Sequence, residues 1–344
     1  MSQKKVVVIG GGTGTFTVLQ ALRETSFDLT AIVSTADDGG STGVLRDELG
    51  VLPPGDLRQA LVALASDSTM LRELFSYRFT EGSLKGHSFG NLLISALEKV
   101  TGSFDSAIIE AGKILSISGR VIPVTTDQMF LRAQGTDGEV IKGEHAIESH
   151  IWDEGAVLER FWVEPPCSIH PLAEQAIMEA DLIVLGPGSI YTSLIPCMLV
   201  DGVRESLRAT KAKIVYIVNL MTEKGQAGAY FAQDFVDLIE KHIGSPAIDY
   251  VLCNTKHPTD YLLEKYKQER EKTPVRIDRK RMNRLHYRLF GTNLLASKPT
   301  FKSDKNDPLA KTRTYIRHDG KRLAKALTAL LYLTEAEILI KRSN

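Results

Sequence analysis

The chain reads as an α/β protein built on a doubly wound, mostly parallel sheet, and three observations predict it. Short apolar, β-branched runs recur and end in glycine or small polar residues. Helical segments lie between successive runs. Two of the run-to-helix junctions are made largely of glycine. Runs apolar at nearly every position are typical of parallel strands covered on both faces by helices. Alternating βα units then imply right-handed crossovers. The expected strand order is Rossmann-like, 3-2-1-4-5-6, with a small antiparallel insertion and a C-terminal helical extension.

The strand signals are "KKVVVIGGG" (4–12), "LTAIVSTADD" (29–38), "ADLIVLGPGS" (180–189), "AKIVYIVNLMT" (212–222) and "IDYVLCNT" (248–255). The intervening helical segments are "FTVLQALRE", "GDLRQALVALA", "HSFGNLLISALEKV", "AIIEAGKILS", "YTSLIPCMLVDGVRESLRAT" and "AYFAQDFVDLIEKHI". Residues 121–163 break the rhythm with alternation and a Thr136-Asp137-Gly138 turn signal, which predicts the antiparallel insertion. Residues 255–320 are polar and rich in Lys, Arg and Tyr. The final stretch, "GKRLAKALTALLYLTEAEILIKR", is amphipathic enough for one or two closing helices. The expected division is a nucleotide-binding core over 1–255 and an extension over 256–344 that packs on it.

Composition narrows the function. The 344 residues can form one large α/β domain or two smaller ones. Lys+Arg and Asp+Glu are both 42, so no basic excess points to nucleic acid or an acidic membrane. Cys167, Cys197 and Cys253 are far apart and odd in number, as expected of reduced thiols in a cytoplasmic protein rather than of structural zinc. The apolar run near the N-terminus is broken by glycines, which fits a first strand better than a signal peptide. No stretch approaches a membrane span in length.

The chemistry gathers at the glycine junctions. Gly10, Gly11, Gly12, Thr13 and Gly14 join a strand to a helix, where backbone N–H groups can approach an anion at a helix N-terminus. The full GxGxxG fingerprint is not met, because Thr15 stands at the third position. Gly186, Pro187, Gly188 and Ser189 repeat the same grammar after a later strand. In the expected order the first and fourth strands are neighbours at the topological switch point, so both loops would open into one crevice. Asp37 and Asp38 would border it from the next strand. Adjacent carboxylates there can take a ribose, hold Mg²⁺ with water completing its shell, or cap their own turn. Gly39, Gly40, Ser41, Thr42 and Gly43 after them fit an anion nest.

Taken together, "GGGTG", "ADDGGSTG", "PPGDLRQAL", "HSFGNLLISAL" and "GPGSIYTS" resemble the family that unites bacterial gluconeogenesis factors with CofD-like 2-phospho-L-lactate transferases. The motifs run in order from residue 10 to residue 193. The resemblance implies a Rossmann-like core with added C-terminal elements that binds nucleotide-linked ligands. One branch moves a phospholactyl group from a guanosine diphosphate-linked donor to a deazaflavin precursor with Mg²⁺, for which Asp37 and Asp38 would be the catalytic acids. The other is associated with UDP-sugar binding, carbon metabolism and cell shape. A homo-oligomer is left open.

Further candidates follow. Asp56 reads first as an N-cap, and the resemblance adds a role near the phosphates for Asp56 and for Arg58, a fork-like anion partner. His87 and Ser88 read as structural, Ser88 as a cap, with no nucleophilic triad. Asn91 is the better ligand candidate, since an amide can read a hydroxyl or a phosphate oxygen. Asn219, Met221 and Thr222 would border the crevice at a strand exit. Tyr266 could stack on a base. "RHDGKRLAKAL" resembles a C-terminal motif of gluconeogenesis factors and makes Arg317 a candidate for the uridine diphosphate end. The basic run Arg276, Arg279, Lys280, Arg281, Arg284 and Arg288 reads as a solvated face. The ligands to be weighed are a UDP-sugar first, then a guanosine nucleotide, with NAD as a surrogate.

Overall fold

Four aliphatic residues in succession, Val6 to Ile9, place the first strand in the middle of the sheet. β-branched side chains favour extended backbone, and none of the four is more than 2% exposed. The computed structural model describes residues 3–66, 69–150, 158–222, 231–264, 273–297 and 316–343. In it β1 (Lys5–Gly10) pairs in parallel with β2 (Asp28–Val33) on one side. The strand at Leu182–Leu185 (β7) pairs with it on the other. Outward from β2 lies β3 (Arg120–Pro123); outward from β7 lie β8 (Lys213–Ile217), β9 (Tyr250–Asn254) and β10 (Arg288–Thr292). The order is β10-β9-β8-β7-β1-β2-β3, with every pair parallel. Counted along this sheet, it is the expected 3-2-1-4-5-6 with a seventh strand added.

Helices cover both faces. They are α1 (Gly12–Leu22), α2 (Gly40–Leu49), α3 (Gly55–Leu64), α4 (Thr69–Ser76), α5 (Phe89–Thr101), α6 (Phe104–Leu115), α7 (Glu144–Ser149), α8 (Pro171–Glu179), α9 (Ile195–Met198), α10 (Val203–Ala209), α11 (Ala232–Ile243) and α12 (Gly320–Ser343). Alternation along β1 divides the core. Val7 and Ile9 join Tyr216, Phe235 and Ile239 on one face, while Val6 and Val8 join Leu19, Leu57, Leu61 and Leu323 on the other. Among the described residues no helix is long and apolar enough to cross a membrane.

Three local readings change. The stretch read as an insertion from residue 121 begins with β3, the edge strand of the main sheet. The separate antiparallel sheet comprises β4 (Phe130–Gly135), β5 (Val140–Lys142) and β6 (Leu158–Glu164), in the order β5-β4-β6. Alternation along β4, with Leu131 and Ala133 buried, ran together with the short buried run before it. The polar stretch after residue 255 contributes β10, whose positions are only exposed or half-buried. An edge strand of that kind carries no continuous apolar run to announce it. The segment read as one helix from Tyr191 starts as a π turn (Ile190–Leu194), continues as α9 and restarts as α10 after Gly202, whose φ is +95°. The closing stretch is, as expected, helical: it forms a single helix, α12, begun by Asp319, whose carboxylate accepts the Arg322 N–H at 3.0 Å.

Candidate functional site

The two glycine loops leave the C-terminal ends of β1 and β7, neighbours at the point where strand order reverses. They touch. A Cβ on Gly14, in the first turn of α1, would overlap the Pro187 carbonyl oxygen, so only glycine lets the helix approach this closely. The Thr15 hydroxyl is lodged between Gly10 and Gly186, buried and without a hydrogen-bond partner. Part of the donor capacity of the loops is already used. The Asn219 side chain closes on Gly188, accepting its N–H at 2.9 Å and donating to its carbonyl at 2.7 Å. The Gly12 N–H goes to the Asp56 carboxylate. Asn219 thus holds the second loop in shape.

The two adjacent aspartates have different partners. Asp37 Oδ1 accepts the Gly39 N–H at 3.0 Å, a turn of its own making. Its other oxygen lies against Gly55, where a side chain would collide with it, and Thr42 donates its hydroxyl hydrogen to the carboxylate. Asp38 turns to the insertion instead. Its oxygens accept the Glu144 N–H at 3.0 Å and the His145 N–H at 2.8 Å, capping α7 from over a hundred residues away. Asp38 thereby acquires a structural partner that the spacing did not announce. The carboxylate is engaged by a helix N-terminus.

Asp56 also departs from its N-cap reading. Pro54 occupies the cap of α3, and Asp56 in the first turn lies against Gly11 of the first loop. Burial, then the charge of Asp37, pushes its pKa up to about 7. Burial also raises Asp37, with the charge of Asp38 adding to the effect. Glu144 completes this wall. Burial and the charges of Asp37, Glu148 and Asp56 push it up to about 9, while Thr192 on the π turn donates a hydrogen bond to it. Among the described residues no three acid, histidine or cysteine side chains stand close enough to hold a metal alone.

Arg58 lies beneath the acids. Burial and the Arg78 charge hold it down to about 10, against the pull of Asp37 and Asp56. Two of its nitrogens face inward, Nε to Asn91 Oδ1 at 2.8 Å and one terminal nitrogen to the Phe75 carbonyl at 3.3 Å. Asn91 donates in turn to Ser41 and Thr42 at the start of α2. Ser88 stands at the N-cap position of α5 without capping it; its hydroxyl donates to the Phe75 carbonyl at 3.4 Å. Gly40 and Thr13 are exposed at the starts of α2 and α1. Ser189 precedes the π turn and accepts from the N–H groups of Ser193 and Leu194. Thr222 is tied to Thr273 through backbone and hydroxyl.

The C-terminal segment reaches the same edge of the sheet. The His318 side chain donates to the Val218 carbonyl, at the exit of β8, and burial lowers its pKa to about 4. The Arg317 carbonyl accepts the Ala296 N–H at 2.9 Å, so Arg317 stands on the strip that borders that exit. Tyr266 lies outside the described residues. The basic run is partly used in packing: Arg281 pairs with Asp234 and Asp237 of α11, and Arg276 lies over the Phe231 ring. Glu144 and Thr192 were missed by sequence reasoning. Glu144 follows a glycine in a stretch read as strands, and nothing local signals that its helix docks on the crevice.

Over residues 6–295 the chain matches the family model described as 2-phospho-L-lactate transferase CofD. It is 42% identical over 324 residues to a putative gluconeogenesis factor of Thermotoga maritima, covering 94% of this chain and 98% of that one. It is 38% identical over 335 residues to the gluconeogenesis factor of Bacillus subtilis, covering 96% and 99%. A crystal structure of a member of the UPF0052 family from Bacillus halodurans superposes with a TM-score of 0.85 at 34% identity, covering 95% of this chain and 99% of that one.

Proposed function

The chain belongs to the 2-phospho-L-lactate transferase CofD family, with the gluconeogenesis factors among its relatives, and on that premise we propose that it is a cytoplasmic gluconeogenesis factor that binds a nucleotide sugar, a UDP-sugar first, and so regulates carbon metabolism and cell shape. The observation that carries the reading is the contact of two glycine loops at the switch point, faced by Asp37 and Asp56. Glycine loops at a helix N-terminus suit a diphosphate, whereas a wall of carboxylates repels one. The two demands are reconciled when a divalent cation enters with the ligand. Asp37 and Asp56 offer hard oxygen donors that fit Mg²⁺, which commonly takes one or two protein carboxylates together with ligand phosphates and water. Asp37 and Asp56 would hold it, and its charge would neutralise the diphosphate. Asp38, engaged with α7, is left to its structural task.

The second reading is a transferase acting on a phosphate-containing group, favoured by the family description that spans residues 6–295. There the chain's own acids would position the diphosphate and an acceptor hydroxyl would attack phosphorus. Thermal shift with UDP-sugars, guanosine nucleotides and NAD, with Mg²⁺ or with chelator, separates the two, because a ligand that binds the folded state raises its apparent stability. The leading reading expects the largest shift with a UDP-sugar. A shift confined to guanosine nucleotides, together with transfer to a deazaflavin precursor, would establish the other.

A further inference from the structure

A chain of hydrogen bonds with fixed direction ends on His87. A guanidinium can only donate, so Arg58 Nε–H turns the Asn91 oxygen toward itself at 2.8 Å. The Asn91 nitrogen then faces α2, donating to Thr42 Oγ1 at 3.3 Å and to Ser41 Oγ at 3.4 Å. Thr42 passes its own hydrogen to Asp37. Ser41 Oγ takes a second N–H, from Ser88, at 3.4 Å. With both acceptor directions used, the Ser41 hydroxyl has only its hydrogen left for its 3.2 Å contact with His87 Nδ1. The network therefore assigns Nδ1 as an acceptor and places the imidazole hydrogen on Nε2. Among the described residues nothing accepts from Nε2, and His87 is only half-buried.

Two N–H groups of the glycine loops are already taken, Gly188 giving its own to Asn219 and Gly12 its own to Asp56, so a diphosphate in this crevice gains from a further donor. We propose that His87, held as the Nε2–H tautomer by Ser41, is a ligand-binding residue that donates to a phosphate oxygen of a nucleoside diphosphate. Arg58, Asn91 and Ser41 are positioning residues for that donor. The inference rests on the nucleotide reading above and adds to it a residue joined to Asp37 through Ser41, Asn91 and Thr42.

Two measurements test it. Long-range proton–nitrogen NMR on the 15N-labelled chain, with His87→Gln used to assign one of eight histidines, should show the Nε2–H pattern for His87 in mildly basic buffer. An Nδ1–H pattern there overturns the assignment. Titration calorimetry with UDP and Mg²⁺ should then show about tenfold or greater loss in His87→Leu, the size expected when a hydrogen bond to a charged group is removed. His87→Gln, whose amide nitrogen stands in for Nε2–H, should stay within about threefold of wild type, a difference below that of one lost hydrogen bond. Wild-type affinity in His87→Leu overturns this proposal alone. A wild-type protein that binds neither UDP nor GDP overturns the nucleotide reading and this one together.

Discussion

Replacing Asp56 by Asn removes one charge from the acid wall while keeping its shape. The carboxyl accepts from the Gly12 N–H and from Gln59 Nε2 at 3.3 Å, and an amide can still accept from Gly12. In the folded protein, burial and then the Asp37 charge raise the group from its ordinary 3.8 to about 7. In the unfolded chain it titrates near the ordinary value. Across that window the folded state binds more protons than the unfolded one, so stability falls as pH rises and the full penalty is present above about pH 7. At about 1.36 kcal/mol for each pH unit, the interval from 3.8 to about 7 sets a ceiling of about 4 kcal/mol. Asp37 shares the repulsion, and removing one charge lets the other ionise more readily. The expected gain for Asp56→Asn is therefore about 1–3 kcal/mol near pH 8, shrinking to within about 0.5 kcal/mol near pH 4. Urea denaturation at a series of pH values in chelator reads it directly. An equal gain at both ends, or a loss near pH 8, would refute the electrostatic account of this site.

Glu144→Gln should also stabilise the protein in chelator, with its advantage growing up to about pH 9, because the wild-type carboxyl is raised to about 9. A pH-independent effect in the same denaturation series would count against it. Asp38→Ala should cost about 1–2 kcal/mol by uncapping α7 and should speed hydrogen exchange at residues 144–149, whereas Asp37→Asn should leave that exchange alone. Equal exchange in all three proteins would count against the cap of Asp38 on α7. Gly14→Ala should destabilise by about 3 kcal/mol or more, since the new carbon overlaps backbone of the second glycine loop rather than a movable side chain. Normal stability there would mean that the loops do not meet. Asn219→Ala should lower UDP-sugar affinity by about tenfold, through loss of two hydrogen bonds that shape Gly188, and calorimetry would show it.

The strands at 4–12, 29–38, 180–189, 212–222 and 248–255 were legible because a central parallel strand needs an apolar residue at nearly every position. Their order matched the Rossmann-like arrangement expected of alternating βα units. The glycine junctions were legible for a similar reason: Gly14 against Pro187 is a close approach that no other residue permits. The edges of the sheet were not. β3 merged with the alternation that follows it, and β10 lies in a polar, basic stretch.

The amino-acid sequence by itself determined the five central strands and the glycine loops, because each is written in side chains a few residues apart. Only the tertiary structure decided what the adjacent aspartates do. Asp37 closes its own turn and has Asp56 and Glu144 as neighbours through burial and charge, while Asp38 reaches α7, the helix between β5 and β6. The physical reason is that a carboxylate's acidity and partners depend on distance in space and on removal from water. Nothing in the spacing of Asp37, Asp56 and Glu144 along the chain records that packing brings them to one wall.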